Sequence, residues 1–330
     1  MYLFYEIVLE KSILGNMENL IFSLNATMPI FILMLLGLLF KKLKWIDDDF
    51  ASKMNKFVFL VPLPVLVFED LATVDFKSVW DTRFVLYCFV VTVLSITLST
   101  LISFLWKDKS IQGEFVQSSY RSSAALLGIA FIQNIYGNAG LAPLMIIGSV
   151  PLYNIMAVIV LSVLKPGNDG IHKDALIKSI KGIVTNPIIL GIVAGLLWSF
   201  LKIPMPIIME KTVSKVASMA TPMGLIAMGA TFNFKKAFAM IKPTIVSSFI
   251  KLIGFVSIFL PFAINMGFRE DKLIAILVML GSSTTVSCYV MAKNMGHEGT
   301  LSSAVVMMTT MLAAFTLTMW LYILKSFGLI

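Results

Sequence analysis

Pro187-Ile-Ile-Leu-Gly-Ile-Val-Ala-Gly-Leu-Leu197 is a second copy of Pro29-Ile-Phe-Ile-Leu-Met-Leu-Leu-Gly-Leu-Leu39, set 158 residues downstream with its proline and final glycine kept. The same spacing carries Pro64 onto Pro222 and Asp75-Phe-Lys77 onto Asn233-Phe-Lys235, and at 159 residues Gly137-Asn-Ala-Gly140 meets Gly296-His-Glu-Gly299. The chain is therefore two halves of common design. A duplication of this size in an apolar chain points to a transporter whose two repeats close on one binding site.

Composition agrees. Hydrophobic residues make up 58% of the chain, charged residues 13%, and the mean hydropathy is +0.92, outside the range of soluble domains. A helical crossing takes about 20 mostly apolar residues, so the polar breaks predict ten helices, near residues 20–42, 51–72, 82–106, 118–136, 140–164, 183–201, 212–232, 243–265, 272–294 and 299–325. The runs are too long for the alternating strands of an outer-membrane barrel. Five crossings per copy send the second copy in from the opposite side, which makes the repeats inverted. The expected organisation is an N-terminal arm at 1–19, a first repeat at 20–164, a cytoplasmic linker at 165–182 and a second repeat at 183–325.

The net charge of +8 is read through the loops and not as a nucleic-acid surface. With the N-terminus outside, sixteen Lys and Arg residues, Arg121 among them, fall on inward loops and nine on outward ones, so the positive-inside rule places both termini outside the cytoplasmic membrane. Trp45, Trp80, Trp106, Trp198 and Trp320 stand near helix ends, where interfacial rings belong. Cys88 and Cys288 fall inside helices, which argues against a disulfide. Residues 1–19, with Glu6, Glu10, Lys11 and Glu18, do not read as a cleavable signal.

Enzyme signatures are scarce, and no cofactor is expected. His172 and His297 lack Cys, Asp or Glu at ligand spacing, and no nucleophile and base stand together. The run Asp47-Asp-Asp49 reads as a helix start, where negative charge is favoured.

Polar residues at bilayer depth carry more information, because they face the interior or a wet cavity. They gather in the fourth helix (Ser118, Ser119, Arg121, Ser122, Ser123, Gln133, Asn134) and in the ninth, where Gly281 precedes Ser282-Ser-Thr-Thr285 and Ser287. Such hydroxyl runs compete for backbone carbonyls and loosen a helix, freeing backbone groups for a substrate or ion. They also simply let helices pack closely. The candidate substrate contacts are Ser122, Ser123, Asn154, Lys251, Ser283, Thr284 and Thr285, and the candidate break or hinge positions are Pro62, Pro64, Gly128, Pro222 and Gly281. Asn154 suits either a substrate or a bridge between helices. Lys251, read as the one basic residue well inside a span, could neutralise a carboxylate, pair with an interior acid, or snorkel to the interface.

These residues together resemble the auxin efflux carrier family, whose bacterial members include malonate and malate carriers. The likeness rests on Pro29 to Lys42, on Asn55 to Pro64-Val-Leu-Val-Phe68, on Arg121, on Pro151-Leu-Tyr-Asn154 and on Asn186-Pro187 through Gly195-Leu-Leu197, and it covers about residues 20–325. It implies a scaffold of helices one, two, six and seven, a transport domain made of the others, and broken fourth and ninth helices crossing at the substrate site. It further implies an elevator-like motion and a fifth-helix Asn, here Asn154, that serves anion binding. The family's Asn and Pro in the fourth helix and Pro in the ninth are replaced here by Ser123, the stretch Ala124 to Ala130, and Ser283.

The expected cargo is a small organic anion, a dicarboxylate or auxin-like carboxylate, with the bilayer as surroundings. A homodimer and coupling to protons or sodium stay open. The bile acid:sodium symporter family, which resembles the same fold, is the alternative, although its sodium sites need carboxylates that the segment Leu273 to Asn294 lacks. A membrane-embedded enzyme or receptor is the remote one.

Overall fold

The computed structural model describes residues 28–29, 32–72, 80–124, 142–165 and 185–330, all of whose regular structure is helical. Gly128, Gln133, Asn134 and the 165–182 linker beyond Lys165 lie outside the described residues. Five described helices are long and apolar enough to cross a membrane: Asp48–Ala72, Thr82–Ser103, Leu144–Val163, Ile241–Asn265 and Thr300–Ser326. Their outward faces carry Leu86, Phe89, Leu101, Phe262 and Phe315, all exposed, as a lipid solvent requires.

Helix α1 covers residues 32–42. Helix α2, Asp48–Leu60, opens on Asp47, whose Oδ1 accepts from Phe50 N at 2.7 Å, with Asp48 and Asp49 in the first turn. The acidic run is thus a helix start, favoured by the positive end of the helix dipole. The helix ends at Val61 (φ −125°, ψ −72°), and α3, Pro62–Ala72, begins. Proline fits there because the first-turn N–H has no intrahelical partner to lose.

The second copy repeats the design. Helix α7, Pro187–Phe200, is followed by α8, Ile207–Ser218, and α9, Ala220–Thr231, with the turn between the last two at Met219, 158 residues after Val61. The breaks therefore fall on Val61 and Met219, whereas the expected positions Pro62, Pro64 and Pro222 occupy the first turns of α3 and α9.

Glycine contacts reproduce the offset too. A Cβ on Gly195 of α7 would meet Phe68 O of α3 at 2.9 Å, and one on Gly37 of α1 would strike Ile226 O of α9. Residues 37 and 195, and residues 68 and 226, are each 158 apart. Helix α1 thus lies on α9 as α7 lies on α3, backbone against backbone.

Next come α4, Thr82–Ser103; α5, Gln112–Tyr120; and α6, Ala142–Val163. The helix expected from residue 118 begins earlier, at Gln112, because the Lys107 and Lys109 charges that make 107–121 resemble a loop only precede it. A 3-10 turn capped by Asp108 instead leads into α5, every residue of which is buried. Glu114 spends its charge on the start of a later helix: its carboxylate accepts from Gly299 N at 2.8 Å and Ser302 N at 2.9 Å. The remaining helices are α10, Phe234–Ala239; α11, Ile241–Asn265; α12, Glu270–Gly281; α13, Ser287–Asn294; and α14, Thr300–Ser326. Helix α11 contains a π turn at Ile250–Gly254, where the carbonyl of Leu252 accepts from Trp320 Nε1 at 3.1 Å. Trp320, expected at the interface, thus turns inward.

Two large apolar cores and two small ones form among the described residues. One large core joins α4, α5, the first part of α6, α11, α12 and α14. The other large core joins α1, α2, α3, α7, α9 and α13 with Ala157, Val158 and Leu161 from the far part of α6. Helix α6 belongs to both.

At one end of the first core Lys272 donates to Asp81 at 2.7 Å, and Asp81 also caps α4 through Phe84 N at 3.1 Å. The Lys272 hydrogen bond holds the Asp81 carboxyl below its ordinary 3.8, against the opposing effect of burial. A depressed folded-state pKa stabilises fully above the unfolded value and is lost as pH falls through the folded one. Thermal unfolding in detergent should therefore show Asp81→Asn costing under about 1 kcal/mol near neutrality and converging on wild type below the folded pKa. A gap that stays constant through this acid range would contradict the assignment.

Candidate functional site

Helix α5 stops at Tyr120 and residues 121–123 are non-helical; α12 stops at Gly281 and residues 282–286 are non-helical before α13 begins. The two interruptions touch. Ser123 N donates to Ser283 O at 3.0 Å, Thr284 Oγ1 donates to Ser118 O at 2.8 Å, and Thr284 N donates to Thr309 Oγ1 at 3.0 Å. Gln117 Nε2 reaches Cys288 O at 2.8 Å. Ser123 N and Ser283 O satisfy each other across the two interruptions, and Thr284 N is satisfied from α14, which is what permits non-helical chain in a buried place. Gly281 is the last residue of α12, directly before the interruption, and its missing Cβ, which would lie 2.7 Å from Val256 Cγ2, lets α12 approach α11.

Lys251, on the π turn of α11, is completely buried. Its ammonium donates to Leu280 O at 2.8 Å, Met279 O at 3.4 Å, Tyr120 O at 3.5 Å and Ser122 Oγ. Those carbonyls close α5 and α12, where the last turn of a helix leaves acceptors without partners and a negative dipole end. Lys251 therefore neither snorkels nor pairs with an acid. It caps two helices at once.

Beside the crossing lies a cavity of about 310 Å³. Of the expected contacts, Ser122, Ser123, Asn154 and Thr285 line it, while Ser283, Thr284 and Lys251 do not; the last three build the crossing beneath. The opposite wall comes from α2, α3 and α9 through Val58, Leu63, Val67, Asp70, Ala220 and Thr221.

The lining also includes Arg121, which sequence reasoning counted as an inner-loop charge. It is only 3% exposed. Its Nη2 donates to Asn154 Oδ1 at 2.7 Å and Ser287 Oγ at 2.9 Å, its Nη1 lies 2.8 Å from Met291 Sδ, and its Nε has no partner among the described residues. The available signal was its place directly before Ser122-Ser123, inside the polar cluster and not before it. Among the described residues no group of three His, Cys, Asp or Glu could hold a metal, and His297 packs its Nε2 on Leu161 O at 2.8 Å.

Residues 22–321 match the family described as membrane transport protein. The chain belongs to that family. The resemblance to auxin-efflux-type transporters holds at this level. Among solved structures, the sodium proton antiporter of Methanocaldococcus jannaschii at pH 8 superposes with a TM-score of 0.59, covering 93% of this chain and 99% of that one at 13% identity. That likeness is one of fold: a multi-span helical membrane transporter with interrupted helices. The comparison with curated protein sequences gives no match.

Proposed function

We propose that this membrane transport protein is a secondary carrier of a small organic anion, of the dicarboxylate or auxin-like carboxylate class, working by elevator-type alternating access. The observation that carries this reading is the Ser123–Ser283 backbone bond, which brings one interruption from each half of the chain to the side of a single cavity. The sign of the cargo follows from charge. Two cations, Arg121 and Lys251, are buried at the crossing, and neither Ser118 to Asn134 nor Leu273 to Asn294 contains an Asp or Glu.

The matched breaks and glycine contacts support ten crossings arranged as two inverted repeats, with α1, α2, α3 and α7 to α9 as scaffold; the loop charges support both termini outside. The α2–α3 and α9 wall of the cavity then belongs to the scaffold, and the crossing to the moving part. A sodium-coupled bile-acid-type symporter is disfavoured by the lack of acids in the ninth segment; the coupling ion, proton or sodium, and a homodimer are read out by experiment. Protein reconstituted in liposomes should take up labelled malonate, malate or indole-3-acetate, tested with imposed proton or sodium gradients. Transport of a cation or neutral solute and of none of these acids would reject the proposal.

A further inference from the structure

We propose that Arg121 holds the carboxylate of the transported anion and that Asp70, on the facing wall, restricts the cargo to a single carboxylate. The inference rests on the carrier reading above and narrows it. The two buried cations at the crossing divide the work. Lys251 is surrounded by protein oxygens and does not line the cavity, so its charge is spent on the ends of α5 and α12. Arg121 does line the cavity. Its acceptors are an amide oxygen, a hydroxyl and a thioether, none of them charged and the last a weak one, and its Nε–H is unpartnered.

A guanidinium taken out of water without an anion is among the costliest burials in a protein. No described carboxylate forms an ion pair with it, and the sequence of residues 125–141 contains no Asp or Glu. The missing counter-ion is what a carboxylate supplies, and the Nε–H that lacks a partner is a charged donor for it. Asn154 and Ser287 are positioning residues: Asn154 spends its Oδ1 on Arg121 and its Nδ2 on Val150 O at 3.0 Å.

Asp70 and Arg121 are the two charged residues among the described lining. Asp70 comes from α3, which packs against α7, a helix without charged residues, and against α8, which carries Lys211 and Lys215. Neither lysine lines the cavity or pairs with Asp70 among the described ion pairs, so a second carboxylate at that end would meet Asp70 and no lining cation. Beside its hydroxyls the lining offers an apolar surface of Leu63, Leu66, Val67, Val150 and Val290. The fitting ligand is a monocarboxylate with an apolar body.

Hexanoate and adipate share a six-carbon chain and differ by one carboxylate. Calorimetry on the intact detergent-solubilised protein avoids the leak of protonated hexanoate through lipid. Wild type should bind hexanoate on the order of 10-fold tighter than adipate, and Arg121→Gln should weaken hexanoate by roughly 10- to 100-fold. Asp70→Asn should raise adipate affinity towards that of hexanoate, a gain that misfolding cannot mimic. Should Arg121→Gln fail to fold, Arg121→Lys carries the same test, because an ammonium keeps the charge and loses the fork, and it should bind hexanoate measurably more weakly than wild type. Hexanoate bound equally by folded wild type and the Arg121 variant overturns the anchor. Equal binding of both acids by wild type, or discrimination unchanged in Asp70→Asn, overturns the single-carboxylate limit. Wild type that binds no anion and transports none overturns the carrier reading as well, which separates the two failures.

Discussion

Lys251→Met should cost the folded protein about 3–5 kcal/mol, because the buried carbonyls of Tyr120 and Leu280 lose their ammonium donor, while Met279 O keeps Ser122 Oγ and Tyr153 Oη. Methionine is the right replacement, since it nearly fills the volume of lysine and isolates the polar loss from a cavity. The readout is thermal unfolding in detergent, where a drop of the apparent midpoint by roughly 5–10 °C is expected, compared at one scan rate because such unfolding is commonly irreversible. Whatever folded protein remains should bind anion with unchanged affinity, as Lys251 does not line the cavity. An unchanged midpoint together with lost anion binding would return Lys251 to the substrate site.

The second large effect concerns close backbone contacts. A Cβ on Gly191 would sit 2.5 Å from Pro64 O, and one on Gly229 would strike Met34 O. Neither helix backbone can yield without moving its partner, so Gly191→Ala and Gly229→Ala should each destabilise by about 1–3 kcal/mol. The first changes the α3–α7 contact and the second the α1–α9 contact, so the two losses should add. Gly254→Ala is the control. Its nearest neighbour would be 3.7 Å away, and the substitution should be neutral or stabilise by up to about 1 kcal/mol. Tolerance of alanine at Gly191 and Gly229 would mean that the halves do not meet as the 158-residue correspondence requires.

Much of the framework was legible because it depends on short-range chemistry. Pro62 fits a first helical turn, Asp47 caps a helix, and Ser282-Ser-Thr-Thr285 loosens one; each follows from local hydrogen bonding. The errors have a common origin. Lys107 and Lys109 disguised the start of α5, since a charge next to a buried helix and a charge in a loop look alike in sequence. Arg121 counts in the sequence both as an inward charge and as a polar residue of the fourth helix, and in the structure it faces a cavity; Glu114, near it in the chain, caps α14 from 185 residues away.

The candidate site divided along the same line. Ser122, Ser123, Asn154 and Thr285 stand on the cavity wall, whereas Ser283 and Thr284 hold the crossing together. Sequence showed only that all six are polar at bilayer depth.

The sequence by itself determined an apolar, duplicated, helical chain with its polar residues concentrated at two equivalent places, because solvent exclusion and backbone hydrogen bonding act on every short stretch. Only the tertiary structure decided which buried cation serves the fold and which faces the cavity. That distinction is set by the partners of Lys251 and Arg121, which lie up to 170 residues away in the chain, and the energy of a buried charge is fixed by its neighbours in space.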